Sequence, residues 1–280
     1  LKDKAALVAA MQGIKTVYNL AKSMDTTWDL CLQNDVGVAV NIAEAALEAG
    51  VERLVYTGTI ASYDMSSEAN TIREATPFGD DMSDRNLYAR SKAECERQLM
   101  HMHETRGLPL TIARPGIVIG AGGPLQHWGI GRWHGAGAVR LWSAGHNKLP
   151  FVLIEDVSEG LIQMGKNPAA IGQSFNLVGD IHFTAREYFD AIHDALGARV
   201  KVKGGNPTLF WAVDAVKYVL KKHALRRHGV LRPSLMDWKS RAHFSPFDNA
   251  QSKAMLGWAP ETERDAFIQK GIIEANLLGY

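Results

Sequence analysis

Short apolar runs of strand length alternate along the first two thirds of the chain with patterns that repeat every three to four residues. Residues 3–12 read as the tail of a helix and Ile14–Ala21 as a strand. Asp29–Ala49 follows as a long helix with an Ala-rich face, closed by Gly50. Arg53–Thr57 is the next strand, and a polar loop then runs to about Asp84. Asn86–Thr105 is a charged amphipathic helix that stops at Gly107, with a strand at Leu110–Ala113 behind it. After Arg114-Pro115 comes a Gly-rich connection, Gly120–Gly137. Phe151–Ile154 and Ser174–Val178 are two late strands around the short helix Val157–Gly165. Strands and helices in this order predict an α/β fold, a doubly wound parallel sheet with helices on its faces.

From about Gly179 the rhythm becomes helical, at Thr184–Leu196, Pro207–His223, roughly Asp248–Leu256 and Glu263–Leu277. The expected division is therefore a sheet domain over 1–178 and a smaller, mostly helical lobe over 179–280, to which the loop 120–150 contributes. A chain of 280 residues can bury a core of that size. Its 31 basic and 30 acidic side chains leave a formal charge of +1, with no overall footprint for nucleic acid or an anionic membrane. Cys31 and Cys95 have no metal-ligand spacing and cannot form a disulfide framework, which fits a reducing, cytoplasmic setting. Leu209–Leu220 is too short to span a bilayer and contains Asp214 and Lys217. Leu1-Lys2-Asp3-Lys4 lacks the apolar core of a signal peptide.

Three Tyr-x-x-x-Lys pairs occur, and their settings differ. Tyr18 and Lys22 start in a strand, where an offset of four separates side chains by about 13 Å. Tyr218 and Lys222 share a helix face whose amphipathic packing accounts for them. Tyr88 and Lys92 lie one turn apart near a helix start, just after the polar loop. A phenol is a poor base at neutral pH, and a lysine cation one turn away favours its ionised form. Such a pair can exchange a proton with an alcohol or carbonyl. Thr57-Gly58-Thr59 adds hydroxyls at the carboxyl end of a strand, where open sheets keep their sites.

His101 and His103 are two apart on a helix, so they face different ways and read as surface residues. Lys221-Lys222-His223 with Arg226-Arg227-His228 makes a local basic cluster. It is either a solvated helix end or a contact for a nucleotide diphosphate or membrane headgroups. Trp128, Trp133, Trp142 and Trp211 lie near the expected substrate lobe, where most of them serve packing and some could stack on a ring.

The motifs together resemble an extended short-chain dehydrogenase/reductase, the group of NAD-dependent epimerases and dehydratases. Val17-Tyr18-Asn19-Leu20-Ala21 resembles the strand whose end lies along the cofactor, and Asn34-Asp35-Val36-Gly37 the Asn-x-x-Gly at a helix start. The segment from Leu54 to Tyr63 resembles the strand that ends in the catalytic hydroxyl, four residues before a tyrosine, which selects Thr59. Arg114-Pro115-Gly116-Ile117-Val118-Ile119-Gly120 resembles the segment past the nicotinamide. Phe151–Val157 resembles the late strand with its helix-opening Asp-Val, and Leu256-Gly257-Trp258-Ala259-Pro260 the C-terminal Leu-Gly-Trp-x-Pro.

The resemblance implies a Rossmann-like fold binding NAD or NADP, with Thr59, Tyr88 and Lys92 catalytic. Tyr88 would be the acid/base, Lys92 would hold the nicotinamide ribose, and Thr59 would orient the substrate oxygen. Cofactor contacts would come from Leu1, Ala21, Asn34, Tyr88, Lys92 and Gly116. It further implies a homodimer through helices 29–49 and 86–105. The expected reaction is oxidoreduction or epimerisation at a carbinol or carbonyl carbon of a sugar or sugar nucleotide. A hydrophobic alcohol, of hydroxysteroid or dihydroflavonol type, is the second substrate class. A non-catalytic nucleotide sensor or scaffold of the same fold is the third reading.

Two departures stand out. No Gly-x-Gly-x-x-Gly turn follows a strand, so about two βα units of roughly 30 residues each are expected before Leu1. Ile60-Ala61 follows Thr59 where dehydratases carry Asp-Glu, so water elimination is not expected.

Overall fold

The computed structural model describes residues 1–79, 81–135, 137–226 and 229–277. Helix α1 (Lys4–Met11) leads into β1 (Thr16–Asn19). The long helix expected next is continuous in path but not in hydrogen bonding. It runs as α2 (Trp28–Cys31), a π-helical turn Leu32–Val36 and α3 (Gly37–Glu48), with Gly50 beyond it at φ 71°. Strand β2 (Arg53–Thr57) ends in a 3₁₀ turn, Ile60–Ser62, and helix α4 (Leu87–Arg106) ends at Gly107, which takes up the left-handed conformation.

Strands β3 (Leu110–Pro115), β4 (Ile117–Ile119), β5 (Gly131–Trp133), β6 (Ala138–Leu141) and β7 (Phe151–Leu153) follow. Then come α5 (Ile154–Lys166), β8 (Ser174–Leu177), α6 (Ala185–Leu196) and β9 (Lys201–Lys203). The remaining helices are α7 (Pro207–Val219) with a π-helical end Leu220–Ala224, α8 (Leu235–Ser240), α9 (Ala250–Leu256) and α10 (Arg264–Ile268).

Four strands form a parallel sheet in the order β1-β2-β3-β8. Alternate residues of one strand point to opposite faces. Leu54 and Tyr56 of β2 therefore join the core beneath α3 and α4, while Val55 joins the core beneath α5 and α9. Helices thus cover both faces, as the alternating pattern predicts.

The mostly helical lobe also carries short strands. Strands β5, β6 and β9 form a three-stranded sheet, and β4 pairs with β7 rather than continuing the main sheet. These strands are three or four residues long, too short for a hydrophobic period to show among the glycines of the 120–137 connection.

A candidate active site at the carboxyl edge of the sheet

The parallel register brings the ends of β1, β2 and β3 to one edge. At the end of β2, the Thr57 carbonyl accepts a hydrogen bond of 2.7 Å from Lys92 Nζ. Thr59 is buried and extended, and its hydroxyl oxygen accepts from the Ala61 N–H at 3.2 Å, capping the 3₁₀ turn. That oxygen is used as an acceptor, so the hydroxyl proton is left to donate to a ligand.

Helix α4 is aimed by its cap. The Asn86 side chain accepts from the Ala89 N–H, and Asn86 is itself held by Asp237 of α8 through backbone and side-chain donors at 3.1 and 2.9 Å. Asp237 also takes Arg85 Nε at 3.1 Å and Arg241 Nη2 at 2.8 Å. Burial pushes the Asp237 carboxyl up, but Arg241, Arg85 and the Asn86 donors outweigh it and hold the group below the usual range.

From that start Tyr88 and Lys92 project from one helix face. Tyr88 is 44% exposed and Lys92 only 4%. Burial pushes the Lys92 ammonium down from its ordinary value, and it lies 4.9 Å from the centre of the Tyr56 ring. Tyr88, Thr59 and Gly116 share a cavity of about 570 Å³ whose wall is largely apolar, from Ile60, Met65, Ile117, Trp128 and Trp142. Ala21, Asn34 and Lys92 share a smaller adjoining recess. Leu1 lines neither: it is exposed, and its carbonyl accepts from Asn41 Nδ2 on α3 at 2.7 Å.

Further charged side chains surround the site. Lys22 lies three residues past β1, 5.8 Å from the centre of the Tyr88 ring, and donates to Asp35 Oδ2 at 2.7 Å. It is Tyr88, not Tyr18, that Lys22 approaches. Burial pushes the Asp35 carboxyl up, and bonds from Lys22 and the Ser23 N–H bring it below its ordinary value. Beneath the site, Glu96 is buried one turn beyond Lys92 and pairs with Arg114 Nε at 2.9 Å and Nη2 at 2.8 Å. His127 and His243 line the cavity as well; burial first, then His127, pushes His243 down to about 4. A lysine just past a strand end was a readable signal for Lys22, and the 88-92-96 row was one for Glu96. Nothing local in the sequence marks His243, which sits at φ 53°.

The other expectations sort by packing. Trp142 is buried and donates to the Trp128 carbonyl, so both join the cavity wall, whereas Trp133 packs on Phe189 in the lobe core. Trp258 is buried and donates to the Asp156 carbonyl. His103 bonds the Leu108 carbonyl at 2.7 Å. Lys222 donates to Tyr218 at 3.0 Å; α7 packs on α8 through Phe210 and Trp238, although none of its residues is fully buried. Arg227 and His228 of the basic cluster, and Ala136 of the glycine-rich loop, lie outside the described residues.

The edge has polar capacity to spare. Thr57 Oγ1, Asn34 Oδ1 and Ser23 Oγ are buried without a hydrogen-bond partner. Unpaired buried polar atoms are costly; Thr57 ends β2, Asn34 lies in the π-helical turn and Ser23 in the loop after β1. With Lys92 they fit the hydroxyls and carboxamide of a nicotinamide ribose. The glycine-rich turn for a pyrophosphate has no counterpart among the described residues.

Comparison with known proteins gives the family. Residues 1–178 match the model of the NAD dependent epimerase/dehydratase family. The chain is 25% identical over 274 residues to the 3beta-hydroxysteroid-dehydrogenase/decarboxylase isoform 2 of Arabidopsis thaliana, covering 93% of this chain and 48% of that protein. It is 28% identical over 255 residues to the UDP-glucose 4-epimerase of Vibrio cholerae, covering 88% and 72%. The chain thus spans about half the length of the first of these relatives. In fold it is similar to MoeE5, solved in complex with UDP-glucose and NAD, with a TM-score of 0.68 and 17% identity over 99% of this chain and 85% of that one. With a doubly wound sheet, the Thr59-Tyr88-Lys92 edge and a family match over 178 residues, the chain belongs to the NAD-dependent epimerase/dehydratase family.

Proposed function

We propose that this chain carries the hydride-transfer site of an NAD(P)-dependent enzyme that oxidises or epimerises a carbinol carbon. The observation that carries this reading is the convergence of Thr59, Tyr88 and Lys92 on one sheet edge, with Tyr88 and Thr59 opening into the same cavity. The dinucleotide, when bound, supplies the hydride acceptor or donor. Tyr88 moves the proton at the substrate oxygen. Lys92, fixed by the Thr57 carbonyl, and Lys22, fixed by Asp35, place positive charge beside the developing phenolate. Thr59 donates to the same substrate oxygen and so fixes which carbon faces the cofactor. Ala21 and Asn34 line the recess on the cofactor side of Lys92, and Gly116 lines the cavity just past β3, its missing Cβ leaving room for the Pro150 carbonyl. Leu1 is exposed and lines neither recess, so no cofactor contact is proposed for it.

A sugar or sugar nucleotide is the first substrate class, supported by the family and by the epimerase relative. A hydrophobic alcohol is the second, supported by the apolar cavity wall and by Arg85 and Arg241 of the lining, both engaged by Asp237 rather than open to a diphosphate. Nucleotide released on denaturation, and its redox state after incubation with a UDP-sugar or with a sterol, tests both. Turnover of free NAD(H) or NADP(H) marks a dehydrogenase, and retained cofactor with inverted sugar marks an epimerase. If Tyr88→Phe left every function intact, the non-catalytic reading would replace both.

A homodimer through α3 and α4 is part of the same proposal, supported by half-buried Val40, Leu47 and Met100 on those helices; Met100→Glu would turn the dimer into monomer in sedimentation. Cytoplasmic residence is supported by two buried free thiols.

A further inference from the structure

Helix α7 and its π-helical end meet the rest of the fold on one side only. None of their residues is buried. Phe210 faces inward, with its ring centre 5.9 Å from that of Trp142 and 5.2 Å from that of Trp238. Leu209, Val213, Val216 and Leu220 follow at steps of four, three and four, which puts them in one stripe away from Phe210. Each is 45–62% exposed, and Val219 widens the stripe at 54%. Eleven helical rises from Leu209 to Leu220 make this apolar face about 16 Å long. A contiguous apolar face of that length marks an interaction site rather than scattered surface leucines.

Charge selects the partner. Lys217, Lys221, Lys222 and Arg226 gather towards the carboxyl-terminal end of the helix and are exposed, Lys217 and Lys221 on the flank nearer Phe210, where they also line a recess with Asp237 and Arg241. Asp214 is the one acid between Pro207 and Arg226, and it lies 3.8 Å from Lys217. A second copy of this helix would bring no opposite charge to these cations. An anionic bilayer surface offers both halves of the complement, acyl chains for the stripe and phosphates for lysines long enough to reach past it. We infer that α7 docks this protein on the surface of an anionic phospholipid bilayer, lying in the interface without spanning it. No helix among the described residues is long and apolar enough to cross a membrane. The chain's overall charge of +1 hides this footprint because the cations are gathered at one helix end. Trp142 packs on Phe210 and also lines the candidate substrate cavity, so the docked helix and the cavity share a wall. The inference holds whichever alcohol the cavity takes.

Co-sedimentation of the full 280-residue chain with vesicles of phosphatidylcholine, alone or mixed with phosphatidylserine, tests it. The chain is expected to pellet with the mixed vesicles. Lys221→Ala and Lys222→Ala should each weaken retention about fivefold. Val216→Glu should weaken it roughly tenfold or more. An unchanged unfolding midpoint shows that the variants fold, since all three positions are exposed. No pelleting with phosphatidylserine overturns the inference, and so does Val216→Glu pelleting like the parent. A third overturning result is a chain that ignores vesicles but loses self-association in Val216→Glu, which would assign the stripe to a second copy.

Discussion

Gly58→Ala should disable the site without touching a reacting group. A Cβ on Gly58 would overlap Glu96 Oε1 and lie 3.0 Å from Glu96 Cδ and 3.3 Å from the Ala113 carbonyl. Neither neighbour can yield freely. The Gly58 N–H donates to that same Ala113 carbonyl at 2.7 Å, and Glu96 is held twice by Arg114. Over-packing of this kind costs about 1–3 kcal/mol. Losing a partner from a buried ion pair costs roughly 3–5 kcal/mol. Ala restricts the unfolded chain and returns about 0.4–1 kcal/mol. A net loss of about 3–7 kcal/mol is expected, lowering the thermal midpoint by roughly 10 °C for a chain of this size. Thr57 and Thr59 flank the forced residue, so turnover should fall on the order of 100-fold for a displacement near 1 Å. Urea unfolding followed by tryptophan fluorescence measures the first quantity. Glu96→Asp draws the carboxylate back, and in that background Gly58→Ala should cost at least about 1 kcal/mol less. The reasoning fails if Gly58→Ala unfolds within about 0.5 kcal/mol of the parent, or if the two changes simply add.

Further outcomes follow from the same geometry. Tyr88→Phe should retain dinucleotide affinity, read by quenching of tryptophan fluorescence, while turnover drops about 10²–10⁴-fold; loss of binding instead would remove Tyr88 from the proton path. His243 is depressed in the folded state to about 4 from an ordinary 6.5. The unfolded chain therefore binds the extra proton between those values, and stability present above pH 6.5 is lost as pH falls towards 4, by about 3 kcal/mol. Unfolding in His243→Asn should show a shallower slope over that window. Asp237→Asn leaves Arg85 and Arg241 without their counter-charge and should cost roughly 3–5 kcal/mol in urea unfolding; a change under 1 kcal/mol would show that the arginines find water instead.

Much of this was legible in the chain because long elements announce themselves. Twenty residues of α4, with Asn86 before them and Gly107 after, carry both a period and two caps. The Tyr88-Lys92 pair was visible because helical spacing turns sequence distance directly into proximity. Lys22 was harder to find, since its approach to Tyr88 depends on the path of the chain after β1. Asp237 caps α4 from 151 residues away, and the Arg114 partner of Glu96 lies 18 residues beyond the 88-92-96 row; no local pattern encodes either pairing. The lobe sheet escaped for a different reason: strands of three residues bury too little to leave an alternation. The exposure of α7 escaped because periodicity says which residues share a face and not whether another element covers it.

Asp237 ties the identity of the lobe to the posture of the catalytic helix. The acid belongs to α8, far along the chain, yet it is the anchor that presents the amino-terminal cap of α4. A graft that replaced the lobe to change the substrate would carry away the anchor of Tyr88 unless the incoming lobe brought a carboxylate to the same place. Modularity in this protein is therefore conditional. The lobe can be exchanged for another only as a unit that includes its grip on α4.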